Sequence, residues 1–186
     1  MNYAHYDDEC VDLAIDLINE FGTDTRAAAG RGGDPLPDLA AFLSEHDMVP
    51  PGPRPGDQRA AQRLADRLHA VFQVDHAAEA VAVINDVLAE FRALPQISNH
   101  DDEDWHMHYY PAGAAPLDRL AVTAAMALGG VLVTAGTQRL GHCHAPDCRD
   151  VYVDTSRNNR RRFCSDGCAN LTHVAAFRAR QRSEQT

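Results

Sequence analysis

The sequence contains no lysine, and all 17 of its basic residues are arginine. Arginine suits bidentate phosphate contacts, but an absence of lysine throughout the chain points as much to a GC-rich coding bias as to selection for binding. Long apolar runs are also missing, because no stretch approaches the roughly 18 to 20 consecutive apolar residues that cross a bilayer. The first residues, MNYAHYDDEC, are acidic where a signal peptide is basic and then apolar. We therefore expect a cytoplasmic protein without a membrane partner.

Motifs of common enzyme classes are missing as well. GxGxxG, GxxxxGKS and HExxH do not occur, and no Ser, His and Asp arrangement is discernible. We therefore expect no enzymatic activity. A small-molecule-binding enzyme built on the N-terminal half is kept only as a third hypothesis.

Charge is distributed unevenly along the chain, whose formal net charge is −10. Residues 1–136 hold 8 Arg against 22 Asp and Glu, a balance of −14. Residues 137–186 hold 9 Arg against 5 Asp and Glu, a balance of +4. A basic segment of this kind is typical of a nucleic-acid contact. The two regions are therefore expected to face different partners.

The apolar spacing of residues 1–136 predicts a mainly helical region. The predicted helices span residues 9–21, 57–73, 76–94 and 116–135. Asp38 is predicted to cap another helix, whereas TDTRAAAGRGGDPLP lacks periodicity and is predicted to be a loop. The aromatic-rich WHMHYY segment predicts a short strand. Cys10 stands alone far upstream and is predicted to be a buried core thiol.

Four of the five cysteines follow the pattern C-x4-C-x15-C-x3-C and are Cys143, Cys148, Cys164 and Cys168. In a reducing compartment, closely paired cysteines are more often metal ligands than disulfides. Zinc accepts four thiolates in a tetrahedron, which leaves no position for water or substrate. The pattern therefore predicts a structural zinc site. The alternative is that two ordinary cysteine pairs coincide by chance.

The segment between the cysteine pairs predicts the supporting structure. HAPD is a turn-prone knuckle, VYVD alternates as a strand, TSRNN forms a hairpin turn and RRRFC returns. Ser165 and Asp166 favour a helix start, which places Cys164 and Cys168 on one face. Knuckle, hairpin and helix form a treble clef. The predicted fold class is α+β, with a mainly helical N-terminal domain (1–136) followed by a small treble-clef zinc finger with a C-terminal helix (137–186).

This part of the sequence resembles the CGNR zinc-finger proteins, bacterial proteins in which the finger follows an N-terminal domain called ABATE. The resemblance is carried by Cys143 and Cys148, VYVDTSRN, the arginines before Phe163, Cys164 and CANL, and more weakly upstream by AIDLINEF. It implies a stress-linked transcription regulator whose ABATE half binds a small ligand. The family signature Cys-Gly-Asn-Arg reads here Cys168, Ala169, Asn170 and Leu171, so a signature arginine is missing.

A helical-wheel projection of the last helix separates two sides. Leu171, Val174 and Ala175 share the metal-facing side with the cysteines, which predicts that Leu171 is a core residue. The predicted DNA contacts, mainly to phosphates, are Arg157, Arg160, Arg161, Arg162, His173, Arg178, Arg180 and Arg182. The leading hypothesis is a DNA-binding transcription regulator. The alternative is a protein-interaction module whose basic finger docks an acidic surface, including the acidic half of the same chain.

Two further candidates lie upstream. Asn19 is a candidate ligand contact because an amide within an apolar helix needs a partner, and otherwise it is a helix-surface amide. His106 and His108 alternate on one face of the predicted strand, with His100 and Asp104 nearby in the sequence. That cluster is either a second metal site, the wall of a ligand pocket, or a solvated loop followed by an edge strand.

Overall fold

The computed structural model describes residues 8–48, 52–74, 76–99 and 105–183. In these ranges the helices are α1 (Asp8–Phe21), α2 (Thr23–Ala28), α3 (Leu39–Glu45), α4 (Asp57–His69), α5 (Ala77–Glu90), α6 (Pro116–Ala135) and α7 (Asp166–Ser183). The strands are β1 (Gln96–Ser98), β2 (His106–His108), β3 (Leu140–His142) and β4 (Val151–Val153). β1 pairs with β2 and β3 pairs with β4, both antiparallel. The fold is α+β, as the sequence predicts.

The core lies among α1, α4, α5 and α6. α6 packs against both α1 and α5, and α1 also packs against α4. The predicted central helix at residues 116–135 is confirmed, and nine of its side chains are buried. By length and composition α6 is also apolar enough to cross a membrane. Asp118 and Arg119 interrupt the apolar residues of α6, so the helix contains no uninterrupted apolar run of that length.

Several local predictions for the helical region are confirmed. α1 ends at Phe21, directly before Gly22. The carboxylate of Asp38 accepts a hydrogen bond from the N–H of Ala40 at 2.8 Å and caps α3. Cys10 is half-buried and packs against the core, which is less buried than the sequence predicts.

The predicted loop after α1 is wrong in its first part, where the chain forms α2. Arg26 in α2 is only 4% exposed. Its guanidinium donates to the backbone carbonyls of Arg31, Asp34 and Pro35 at 2.9 to 3.0 Å. A helix of six residues is too short to show a helical period, and a buried arginine bonded to carbonyls is not visible in the sequence.

The predicted hairpin of the finger is wrong in its second strand. β4 pairs with Leu140–His142, before the knuckle, and residues 160–164 are not a strand. The N–H of Arg161 donates instead to the carboxylate of Asp154, and the carbonyl of Arg162 accepts from the N–H of His144. These bonds hold the segment without a second strand ladder.

β4 joins the finger to the helical core. Val151 and Val153 are buried and belong to the same hydrophobic cluster as the helices. On the other face of the hairpin, the ring of Tyr152 lies against Gly141, where a Cβ would come within 2.4 Å of the ring. The predicted domain boundary after residue 136 coincides with the end of α6, and it stays a prediction.

Candidate metal centre and basic groove

The four cysteines of the predicted zinc site converge. Their Sγ atoms all lie within 4.8 Å of one another. The Sγ atoms of Cys148 and Cys164 are 3.8 Å apart, and those of Cys164 and Cys168 are 3.6 Å apart. Metal–thiolate bonds of about 2.3 Å in a tetrahedron separate the sulfur atoms by about 3.8 Å. The cluster therefore has both the donor set and the spacing of a four-thiolate metal site.

Local backbone structure positions the cysteines. Cys143 follows β3, and its N–H donates to the carbonyl of Asp150 at 2.9 Å. The N–H of Cys148 donates to the carbonyl of Ala145 at 3.1 Å, which closes the predicted knuckle. At the start of α7, the hydroxyl of Ser165 accepts from the N–H of Cys168 at 3.3 Å. The predicted helix start is thereby confirmed.

The electrostatics of the cluster favour a bound cation. Burial raises the pKa of Cys148 to about 12, and the carboxylate of Asp150 acts in the same direction. Burial likewise raises the pKa of Cys164, together with its thiol neighbours. At Cys143 burial is outweighed by N–H groups of Cys164 and Ala145, which lower the pKa. A divalent cation among the sulfurs would stabilise the thiolates and so lower these pKa values.

Arg161, a predicted DNA contact, is bound to the protein itself. Its Nε donates to the carbonyl of Phe163 at 3.0 Å, its Nη1 to Val153 at 3.3 Å, and its Nη2 to Cys164 at 2.5 Å. The guanidinium also lies over the ring of Tyr152, 5.1 Å from the centroid. Arg161 therefore supports the backbone of the metal centre with three of its five N–H groups, although its side chain is exposed.

Three other predicted DNA contacts lie together around an open groove in the finger. Arg157, Arg160 and Arg162 line this basic groove, which has a volume of about 810 Å³. All three side chains are exposed. Arg162 Nε donates to Nδ1 of His144 at 3.2 Å, which holds it at the rim. The basic groove thus carries three exposed guanidinium groups, beside the exposed carboxylate of Asp166.

The remaining predicted contacts lie on α7, outside the lining of the basic groove. Arg178, Arg180 and Arg182 are exposed in the last turns. A rise of 1.5 Å per residue puts them about 20 Å along the axis from the first turn. The exposed His173 ring stands edge-on to Phe163, with centroids 5.8 Å apart. The arginines thus form two separate groups.

The prediction that Leu171 is a core residue is wrong. Leu171 is 73% exposed, Val174 47% and Phe177 54%. No residue of α7 between Asp166 and Ser183 is buried. The wheel projection assumes that the helix packs along one whole side, but α7 is anchored mainly at its cysteine end.

Asn19 has two partners, both on one residue of β4. Its Nδ2 donates to the carbonyl of Val151 at 3.0 Å, and the N–H of Val151 donates to its Oδ1 at 2.8 Å. Asn19 also borders a cavity of about 350 Å³ between α1 and the finger. Both ends of its amide are bonded to the backbone of Val151, so Asn19 fits a structural role beside that cavity better than a ligand contact.

The cavity between α1 and the finger is called the interdomain cavity below. One of its walls carries the carboxylates of α1, and the other consists of finger residues. Asp12, Asp16 and Glu20 recur every fourth residue of α1, facing Arg161 and Ser165. Burial raises the pKa of Asp16, which His46 opposes and Asp12 reinforces. Burial and the nearby Asp16 raise the pKa of Glu20.

The predicted strand of WHMHYY is confirmed as β2. The Nε2 atoms of His106 and His108 lie 3.0 Å apart on one face of it. Predictions for His100 and Asp104 fall outside the described residues. The strand partner, β1, was not predicted because a three-residue strand between proline and a polar loop has no measurable alternation.

Sequence reasoning also missed Asp154, which is 2% exposed. Its carboxylate accepts from the N–H of Ser156 at 2.8 Å and from the N–H of Arg161 at 2.7 Å. Burial would raise the pKa of Asp154, but these bonds hold it below the ordinary value. The Asp-x-Ser spacing is a signal for such a turn, and it was available in VDTS.

Two family models match the chain. Residues 11–135 match ABATE, described as "Putative stress-induced transcription regulator", and residues 139–181 match the CGNR zinc finger. Both matches confirm the resemblance read from the sequence. A comparison with curated proteins found no significant match.

Proposed function

This chain belongs to the ABATE family and carries a CGNR zinc finger, and we propose that it is a cytoplasmic, non-enzymatic transcription regulator that binds DNA through the finger. The observation that carries the proposal is the basic groove beside the four-cysteine cluster. There, Arg157, Arg160 and Arg162 are exposed around one concave surface. Exposed guanidinium groups on such a surface suit phosphate oxygens.

The metal in this proposal is zinc, because four thiolates in a tetrahedron are a typical structural zinc donor set. Cys143, Cys148, Cys164 and Cys168 would hold it, and the ion would fix the knuckle to the first turn of α7. Four thiolates around a divalent ion carry a formal charge of about −2. The guanidinium of Arg161, bonded to the carbonyl of Cys164, offsets part of that charge.

The acidic helical half limits where DNA can approach. Residues 1–136 carry a balance of −14 and repel a polyanion at low salt. The finger carries +4, so attraction is confined to its own surface. Because Arg161 already donates to three backbone carbonyls, the phosphate contacts in the basic groove are assigned to Arg157, Arg160 and Arg162. The arginines near the end of α7 form a second, separate contact.

Sequencing of DNA recovered with the full-length protein from cells tests this proposal. We expect recovered DNA to be enriched in particular sites, and the enrichment to disappear in an Arg157→Ala/Arg160→Ala variant. An Arg59→Ala/Arg63→Ala variant is the matched control, because both arginines are exposed on α4, away from the groove. Recovered DNA that equals the input for the unmodified protein would contradict DNA binding.

A sensing role for the ABATE half is part of the proposal, and the interdomain cavity supports it. One wall is α1 and the other contains Cys164 and Ser165 at the metal centre. A small molecule held there would contact both halves and so bias the position of the finger. A thermal-shift screen for ligands, repeated with Asp16→Asn, tests this role. Ligands that stabilise both proteins equally would place the sensing site elsewhere.

A second candidate function, a protein-interaction module, is favoured by the exposed apolar side chains of α7. Leu171 and Phe177 are more than half exposed on a helix without buried residues. If α7 docks a protein, Leu171→Ser and Phe177→Ser abolish partner binding and leave DNA recovery unchanged. If the finger binds DNA and α7 docks no protein, these variants match the unmodified protein both in partner binding and in DNA recovery.

A further inference from the structure

The β1–β2 ribbon presents two imidazoles at one point. His106 and His108 are two residues apart on β2, so their side chains lie on the same face of the strand. Their Nε2 atoms are 3.0 Å apart, and their ring centroids are 4.7 Å apart with the planes at 81°. Both residues are half-buried. The ring edges that carry the Nε2 atoms therefore converge on one small volume.

This separation fits two ligands of a single metal ion. Metal–imidazole bonds of about 2.0 to 2.1 Å, at ligand angles between the octahedral and tetrahedral values, separate the two nitrogens by about 2.8 to 3.4 Å. The observed 3.0 Å lies within that interval. The hydrogen bond between the rings uses the same two atoms. A cation can take the place of the shared proton with little movement of either ring when that proton moves to Nδ1 of the donor ring, which leaves both imidazoles neutral.

The ring of His108 packs against a neighbouring aromatic ring. The ring of Tyr110 lies 5.0 Å from that of His108, and the guanidinium of Arg119 lies 5.4 Å above Tyr110. Opposite His108 on β1, the Gln96 side chain accepts from the N–H of Ala112 at 3.1 Å. Ligands that are packed before binding lose little conformational entropy when the ion arrives.

We propose that His106 and His108 form a second metal site, distinct from the four-cysteine cluster, for a divalent transition-metal cation such as Ni²⁺, Cu²⁺ or Zn²⁺. Imidazole nitrogen suits these ions, whereas a four-thiolate cluster selects zinc more strongly. With two protein ligands from the described part of the chain, the second site binds its ion more weakly and exchanges it more readily than the four-cysteine cluster does. The net charge of −14 over residues 1–136 favours the approach of a cation.

Calorimetric titration with NiCl₂ tests this site. The experiment uses full-length protein without a polyhistidine tag, with zinc in the finger and loosely bound metal removed by dialysis. We expect one Ni²⁺ equivalent per chain, lost in His106→Ala and in His108→Ala. His76→Ala is the matched control, because His76 is exposed at the start of α5. Zinc content measured before and after must stay constant, which shows that nickel has not displaced the finger's ion.

A second measurement uses the unmodified protein and so does not depend on whether the variants fold. Paramagnetic Ni²⁺ should broaden the imidazole NMR signals of His106 and His108 at substoichiometric concentrations, before those of His76. Absence of nickel binding, nickel binding retained in either alanine variant, or broadening that begins at other histidines would overturn the proposal. The two rings would then be a hydrogen-bonded pair only.

Discussion

The side-chain amide of Asn19 on α1 forms two hydrogen bonds with the backbone of Val151 on β4, one to its carbonyl at 3.0 Å and one from its N–H at 2.8 Å. The amide therefore occupies the free edge of β4, where a third strand would pair. Val151 is fully buried, so water has little access to these groups. This pairing connects the ABATE half to the metal-binding half.

Replacing Asn19 should loosen that connection. In Asn19→Ala both backbone groups of Val151 lose their partner, and a buried unsatisfied group costs about 1 to 3 kcal/mol. We expect the free energy of unfolding to fall by about that amount in chemical denaturation. Asn85→Ala, at an exposed asparagine of α5, is the control and should change it by less than about 0.5 kcal/mol. Equal stability of the two variants would show that the pairing contributes nothing.

Removing the metal should release α7 before the helical core. α7 has no buried residue, and its first turn is held by Cys164 and Cys168 at the metal centre. By contrast, β4 is packed against the core. Hydrogen exchange after chelation should therefore show loss of protection in residues 155–183, while α1 and α6 keep theirs. Simultaneous loss of protection in α6 would mean that the metal stabilises the whole fold.

Arg161 and Arg160 are neighbours with different expected roles. Arg161 donates to three backbone carbonyls around the metal centre, so Arg161→Ala should weaken metal binding by about 10- to 100-fold. Arg160→Ala should leave it unchanged. Arg161→Lys should not restore binding, because an ammonium cannot reach three divergent acceptors as a planar guanidinium does. Competition with a zinc chelator measures all three; unchanged affinity in Arg161→Ala would contradict the supporting role.

His69 on α4 and His142 on β3, whose rings pack edge to face with centroids 5.7 Å apart, should make stability depend on pH. His69 is 7% exposed, and its Nε2 has no hydrogen-bond partner among the described residues. Burial lowers the pKa of His69, the nearby His142 lowers it further, and Asp24 and Asp66 oppose the shift. The unfolded chain, with a pKa of 6.5, then binds more protons than the folded chain. Stability is therefore complete above that value and declines as the pH falls from 6.5 towards the lower folded pKa.

Thermal unfolding at about pH 7.5 and about pH 5.5 measures this decline. His69→Phe should lose less stability between the two pH values than the unmodified protein. His76→Phe replaces an exposed histidine and should lose as much stability as the unmodified protein does. If His69→Phe shows the full decline, other groups are responsible for it.

The sequence was sufficient where one local property decides the structure. Cysteine spacing identified the metal cluster, and apolar periodicity placed α1, α4, α5 and α6 within a few residues. It failed where long-range contacts decide. The strand partner of β4 is β3, which precedes the knuckle, and β4 also packs against α1. The guanidinium of Arg161 binds backbone carbonyls. Leu171 stays exposed on α7, which has no buried residue between Asp166 and Ser183.

The salt dependence of binding to a random DNA duplex tests the central claim most directly. If Arg157, Arg160 and Arg162 each contact a phosphate, these three contacts should contribute about −2.7 to the slope of the logarithm of affinity against the logarithm of salt concentration, and the contact made by the arginines of α7 should make the slope steeper still. In the Arg157→Ala/Arg160→Ala variant the slope should flatten by about 1.8, while Arg59→Ala/Arg63→Ala keeps the original slope. Full-length, metal-loaded protein that binds no duplex at any salt concentration, or a groove variant with an unchanged slope, would contradict the account.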